Sequence, residues 1–110
     1  MAYQHKELAQ GRWQQFSFLE QMANVGSEVE RALNWQIKNN PAYCQQAFER
    51  ALELLDLTLE HAQTYARLKE LARVREAMVD YFYGDNQFLS TAKSWRTYFS
   101  AFTRGARKDC

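Results

Sequence analysis

The chain predicts an all-α fold, an antiparallel up-and-down four-helix bundle with a short N-terminal helical extension, and three observations carry that expectation. Apolar residues recur at intervals of three and four over four separate stretches, the spacing that lines one face of a 3.6-residue helix. The same stretches are rich in Ala, Leu, Glu, Gln and Arg, which lose little on entering a helix. Only four Gly and one Pro occur in 110 residues, too few to supply the turns of an all-β domain. Four amphipathic helices joined by short connections pack most simply as antiparallel neighbours.

Each element has its own signal. Ser17, three residues before Glu20, marks a capping box. Phe18, Met22, Val25, Val29 and Leu33 follow at helical spacing, so the first helix is expected over 17–38. Gly26 lies beside that apolar stripe; it costs about 1 kcal/mol against Ala, which points to a close helix approach. Asn39, Asn40 and Pro41 stop this helix and start the next, with Asn40 as N-cap and Pro41 where a missing N–H loses nothing. The second helix is expected over 41–63, with Cys44, Ala47, Phe48, Ala51, Leu52, Leu55, Thr58, Leu59 and Ala62 inward. No strong breaker comes after it, and only the phase of the apolar stripe places a turn between Glu60 and Ala66. The third helix, 65–83, ends before Gly84, Asp85 and Asn86. Ser90 or Thr91 caps a fourth over 90–106, with Ala92, Trp95, Phe99, Phe102 and Ala106 inward. Residues 1–16 form the extension, with a short helix over 5–16 whose Leu8, Trp13 and Phe16 cover one end of the core.

The length fits a single domain, and 46% hydrophobic, 15% aromatic and 25% charged residues fit an ordinary globular chain rather than a disordered one. Residues 1–10 contain Lys6 and Glu7 but no apolar stretch of the signal-peptide kind, and no run approaches a membrane span. The expectation is a cytoplasmic protein without membrane contact. Cys44 sits on an apolar helical face and Cys110 is the last residue, so neither a disulfide framework nor a metal cage is implied.

One residue breaks the third helix's pattern. Tyr65, Leu68, Leu71, Ala72, Met78, Val79 and Phe82 share a face with Arg75 in its middle. A guanidinium cannot shed its charge, so burial there requires a carboxylate, an interface or a wet groove. Glu30, at the edge of the first helix's apolar face, is the preferred partner, with Glu28 and Asp56 as lesser options. Such a pair serves helix alignment more readily than catalysis, and a ligand site around Arg75 and Glu30 is a third functional reading.

Charge is divided along the chain. Glu49, Glu53, Asp56 and Glu60 form one ridge of the second helix, opposite its apolar stripe. Lys93, Arg96, Arg104 and Arg107 line a flank of the fourth. From Pro41 to Gln63 one cation meets four anions, a net of −3; from Gly84 to Cys110 five cations meet two anions, a net of +3. These ridges could pair between subunits of a homo-oligomer, or the basic flank beside Trp95 and Tyr98 could hold a nucleic-acid backbone. The whole-chain charge of +1 is far below that of a dedicated nucleic-acid binder. Trp35 and Tyr81 fall off the inward faces, as an apolar patch for a partner would.

Chemistry finds little footing. Neither His5 nor His61 has a Glu three residues before it, as a di-iron bundle requires. The chain has no Gly-x-Ser-x-Gly, no phosphate-cradling glycine loop and no local Cys/His arrangement. Small helical-bundle ribonucleases place a His four to six positions from an Arg, and neither histidine follows an arginine at that distance. No metal, cofactor or catalytic residue is expected.

Several stretches, Gly11-Arg12-Trp13, Glu20-Gln21, Gly26-Ser27-Glu28-Val29, Ala47 to Thr58, Arg67 to Glu70, and Arg73, Arg75 and Glu76, resemble a family of uncharacterised small bacterial proteins of about this length. The resemblance spans most of the chain and implies a helical fold but no activity. In architecture the chain is also similar to the four-helix bundles encoded in ribosomal intervening sequences and beside diversity-generating retroelements. The retroelement type implies oligomerisation and contact with RNA or reverse transcriptase. The resulting expectation is a non-enzymatic, self-associating interaction protein with a protein partner; the alternative is an RNA-binding accessory protein.

Overall fold

The computed structural model describes residues 11–108, except the side chain of Lys108; the expectations at His5, Leu8 and Cys110 lie outside the described residues. After a one-turn 3-10 helix at Arg12–Gln15 come α1 (Phe18–Ile37), α2 (Pro41–Glu60), α3 (Tyr65–Tyr83) and α4 (Ala92–Lys108). The described residues contain no strand, and no helix among them is long and apolar enough to cross a membrane. α1 packs against both α2 and α4, and α2 against α3.

The caps arise from particular side chains. Ser17 Oγ accepts from the Glu20 N–H at 3.1 Å and Glu20 Oε1 from the Ser17 N–H at 2.9 Å, closing the capping box. Asn40 Oδ1 accepts from the Tyr43 N–H, with Pro41 in the first turn of α2. Helix α2 stops three residues short of the expected end. Thr64 Oγ1 accepts from the Arg67 N–H at 3.1 Å and so starts α3, a cap that phase alone did not locate. Thr91 and Ser94 exchange hydroxyl and N–H bonds at the start of α4, which runs two residues beyond 106.

The core is built from Met22, Val25, Val29 and Leu33 of α1, Phe48, Leu54 and Leu55 of α2, Leu71, Val74 and Met78 of α3, and Trp95 and Phe99 of α4. Gly26 provides the expected close approach: a Cβ there would lie 2.8 Å from Phe99 Cβ. The leading segment contributes Trp13, fully buried, whose indole N–H donates to Thr58 Oγ1 at 2.9 Å while its carbonyl accepts from Gln21 Nε2 at 2.8 Å. Phe16 beside it is left more than a third exposed.

The inward face of α3 keeps Leu71, Met78, Val79 and Phe82 of the expected stripe but is turned so that Val74, Ala77 and Tyr81 join it. Leu71, Val74 and Met78 are buried, with Ala77, Val79, Tyr81 and Phe82 packed at the margin. Tyr65, Leu68 and Ala72 are exposed, Tyr65 at 77%. Two stripes of helical period overlap on this helix, and periodicity cannot choose between them; the rotation that seats Val74 in the core carries Arg75 to the edge.

Candidate functional site

Arg75 meets solvent, with 42% of its side chain exposed, and pairs with Asp56 on α2 rather than Glu30. Its Nε donates to Asp56 Oδ1 at 2.8 Å and its Nη2 reaches Oδ2 at 3.5 Å. The hydrogen bond to Asp56 raises the Arg75 pKa further, against a smaller opposing effect of burial. Neither residue lines a described cavity. The pair ties α2 to α3.

Glu30 is answered from another helix. Arg96 Nε donates to both its carboxylate oxygens, at 3.1 and 2.9 Å, and Arg96 Nη2 reaches Asn34 Oδ1 at 3.4 Å. Arg96 is therefore a bond between α1 and α4, and the expected basic flank divides. Lys93, Arg104 and Arg107 are exposed and have no carboxylate partner among the described residues.

The most buried carboxylate among the described residues is Glu28, which accepts from Arg31 on its own helix at 2.9 Å and from Arg50 of α2 at 3.2 Å. Its spacing from Arg31 was legible in sequence; that it faces α2 was not. The acidic ridge is partly used within the chain as well. Asp56 is held by Arg75, Glu49 accepts from Gln45, Glu53 is engaged, and Glu60 stands exposed at the end of α2.

Trp35 and Tyr81 are likewise occupied. Trp35 stacks edge-on with Tyr43 at 4.8 Å, under the Lys38 ammonium at 5.0 Å. Tyr81 donates to Gln36 Oε1 at 3.0 Å and contacts the rings of Phe82 and Trp95; burial raises its pKa. Large apolar residues are exposed at the start of α3, at Phe16, and in the segments where the α1–α2 turn meets the end of α3. Ile37, Tyr43, Tyr83, Phe88 and Leu89 are all exposed in those last segments. A cleft of about 450 Å³ opens at the same end, floored by Cys44, Phe48, Phe82 and Tyr83 and edged by Gln36, Asn39 and Gln45. Burial raises the Cys44 thiol pKa and so keeps it a poor nucleophile.

The α3–α4 loop is tightly held. Asp80 accepts from the N–H groups of Gln87 and Phe88 at 2.8 and 3.0 Å, and its own carbonyl accepts from Gly84 and Asn86. Asn86 and Ser90 exchange two further bonds, each 2.9 Å. An acid in the last turn of a helix opposes the helix dipole, so Asp80 ahead of Gly84 was a readable hint that its carboxylate caps the loop beyond. The product is an ordered loop that displays Phe88 and Leu89. All three described non-glycine residues with positive φ lie at this end: Asn39 at 58°, Asn86 at 55° and Leu89 at 55°.

A second groove of about 550 Å³ runs between α1 and α4, over Val29, Leu33, Trp95 and Phe99. Trp95 is 6% exposed, and its indole N–H is the one buried side-chain polar atom lacking a partner among the described residues. No three His, Cys, Asp or Glu residues converge on a metal site among the described residues. Comparison of the chain with protein families, with curated proteins and with solved structures finds no match.

Proposed function

We propose that the protein is a non-enzymatic interaction module that self-associates, with the Phe88–Leu89 end of the bundle as its contact surface and a second copy of the chain as its partner. The observation that carries this reading is Leu89. It is 82% exposed and held in the left-handed region, which costs an L residue about 1–2 kcal/mol. The isolated chain gains almost no burial in return, and Phe88 beside it is also mostly exposed. Apolar residues fixed on a hydrogen-bonded loop, next to further exposed aromatics, are what a docking surface needs.

A second copy fits better than a strongly charged partner. Exposed charges of both signs, Lys38 and Lys93 with Glu49 and Asp85, belong to the segments that meet at this end, as a self-complementary contact requires. The whole-chain charge of +1 sets little repulsion between copies. Light scattering across a concentration series tests the proposal through Leu89→Gly. Glycine accepts the positive φ without penalty, so the fold should be as stable or more so, while association weakens at least about tenfold, ~1.4 kcal/mol. A wild-type chain that stays monomeric at high concentration, or a variant that associates unchanged, overturns it.

The antiparallel up-and-down topology belongs to the same reading, and the contacts support it. Along α1, Glu28 meets Arg50 and Trp35 meets Tyr43, partner numbers falling as the first rise. Phe18 with Phe102 and Glu30 with Arg96 repeat the pattern for α1 and α4, as do Phe48 with Phe82 and Asp56 with Arg75 for α2 and α3. Kinship with small bacterial bundle proteins is part of the proposal and rests only on the resemblance of the stretches between Gly11 and Glu76. The small-ligand reading loses its support, because Arg75 and Glu30 do not meet.

A further inference from the structure

The geometry points to the solvent face of α4 as a docking surface for the phosphate backbone of a nucleic-acid strand, read without regard to sequence. Lys93, Thr97, Ser100, Arg104 and Arg107 succeed one another at steps of four, three, four and three, which keeps them on one side of a helix. From first to last they extend about 21 Å at 1.5 Å per residue. All five are exposed, and α4 contains no Asp or Glu. Lys93, Arg104 and Arg107 have no carboxylate partner among the described residues. Two carboxylates beside α4 are engaged: Glu30 holds Arg96, and Glu70 of α3 accepts the Tyr98 hydroxyl at 3.1 Å.

Cations spaced along one face, interleaved with hydroxyls and backed by an aromatic inner face, suit evenly spaced phosphates. They offer no groove-inserted reader of base edges, so contact is with the backbone alone. Lys93 opens α4 beside the Phe88–Leu89 end, whereas Arg104 and Arg107 lie about three to four turns farther along the helix, so their contribution does not depend on self-association.

The decisive feature is which arginine takes part. Arg96 lies in the same basic flank of the sequence, but its guanidinium is bound to Glu30 and Asn34. Lys93, Arg104 and Arg107 should therefore carry the salt dependence of binding, and Arg96 should not.

Fluorescence anisotropy with a labelled single-stranded oligouridine of roughly 12 nucleotides measures this across a salt series. Three phosphate contacts give a slope of log affinity against log salt of about −2, at ~0.7 per contact, or about a 20-fold loss between ~50 and ~200 mM salt. Lys93→Gln, Arg104→Gln and Arg107→Gln should each shorten the slope by ~0.7, with unchanged helix content by circular dichroism. Arg96→Gln should leave the slope as it is. The Leu89→Gly chain should bind like wild type, which separates this proposal from self-association. No binding at low salt overturns the inference, as does binding to phosphatidylserine vesicles without binding to the oligonucleotide. A slope reduced as much by Arg96→Gln as by the other three also overturns it.

Discussion

Thr58 holds two buried hydrogen bonds through one hydroxyl, accepting from the Trp13 indole and donating to the Leu54 carbonyl, both at 2.9 Å. Thr58→Val keeps the shape and strands the Trp13 N–H, which should cost about 1–3 kcal/mol in a urea unfolding series and loosen the leading segment before the helices. Tyr98 makes a second test. Burial first, then the charge and hydrogen bond of Glu70, raise its pKa above the ordinary 10.0. Above about pH 10 the unfolded chain releases this proton while the folded chain keeps it, so stability falls as pH rises. The alkaline fall in Tm should be shallower in Tyr98→Phe; an identical slope in the two proteins would remove Tyr98 from the account. Tyr83, also raised by burial, keeps the variant's slope from vanishing.

The two described glycines inside helices make opposite demands on their surroundings. A Cβ on Gly26 would meet Phe99 Cβ at 2.8 Å, next to the backbone of α4. Gly26→Ala should destabilise, because overpacking costs about 1–3 kcal/mol against about 1 kcal/mol gained in helix propensity. The three atoms nearest a Cβ on Gly105 all belong to the Leu19 side chain, first its Cδ1 methyl at 3.1 Å, the far end of a group that can turn aside. Gly105→Ala should therefore be neutral or stabilising by up to about 1 kcal/mol, and thermal melts of the pair measure the contrast. Helix ends were similarly uneven in how well the sequence announced them. Ser17, Asn40 and Pro41 act locally and read directly, whereas α3 begins at a threonine cap with no Gly or Pro to mark it.

At the scale of the whole molecule, the four helices, most of their caps, the Gly26 approach and the buried Trp13 were legible because each depends on residues within a turn or two, or on a side chain too large to leave wet. The ion pairs were not. Arg75 with Asp56, Arg96 with Glu30 and Arg50 with Glu28 each join different helices, and which edges face one another depends on how each helix is rotated. On α3 two apolar stripes of the same period overlap, and a partial turn of the helix moves Arg75 from the middle of the inward face to its edge, where Asp56 meets it. Local residue order was enough to specify four amphipathic helices and where most of them begin. Which cations are spent and which are free, and that Leu89 stands outward, emerged only from packing, because partner choice and exposure are properties of helices set against one another.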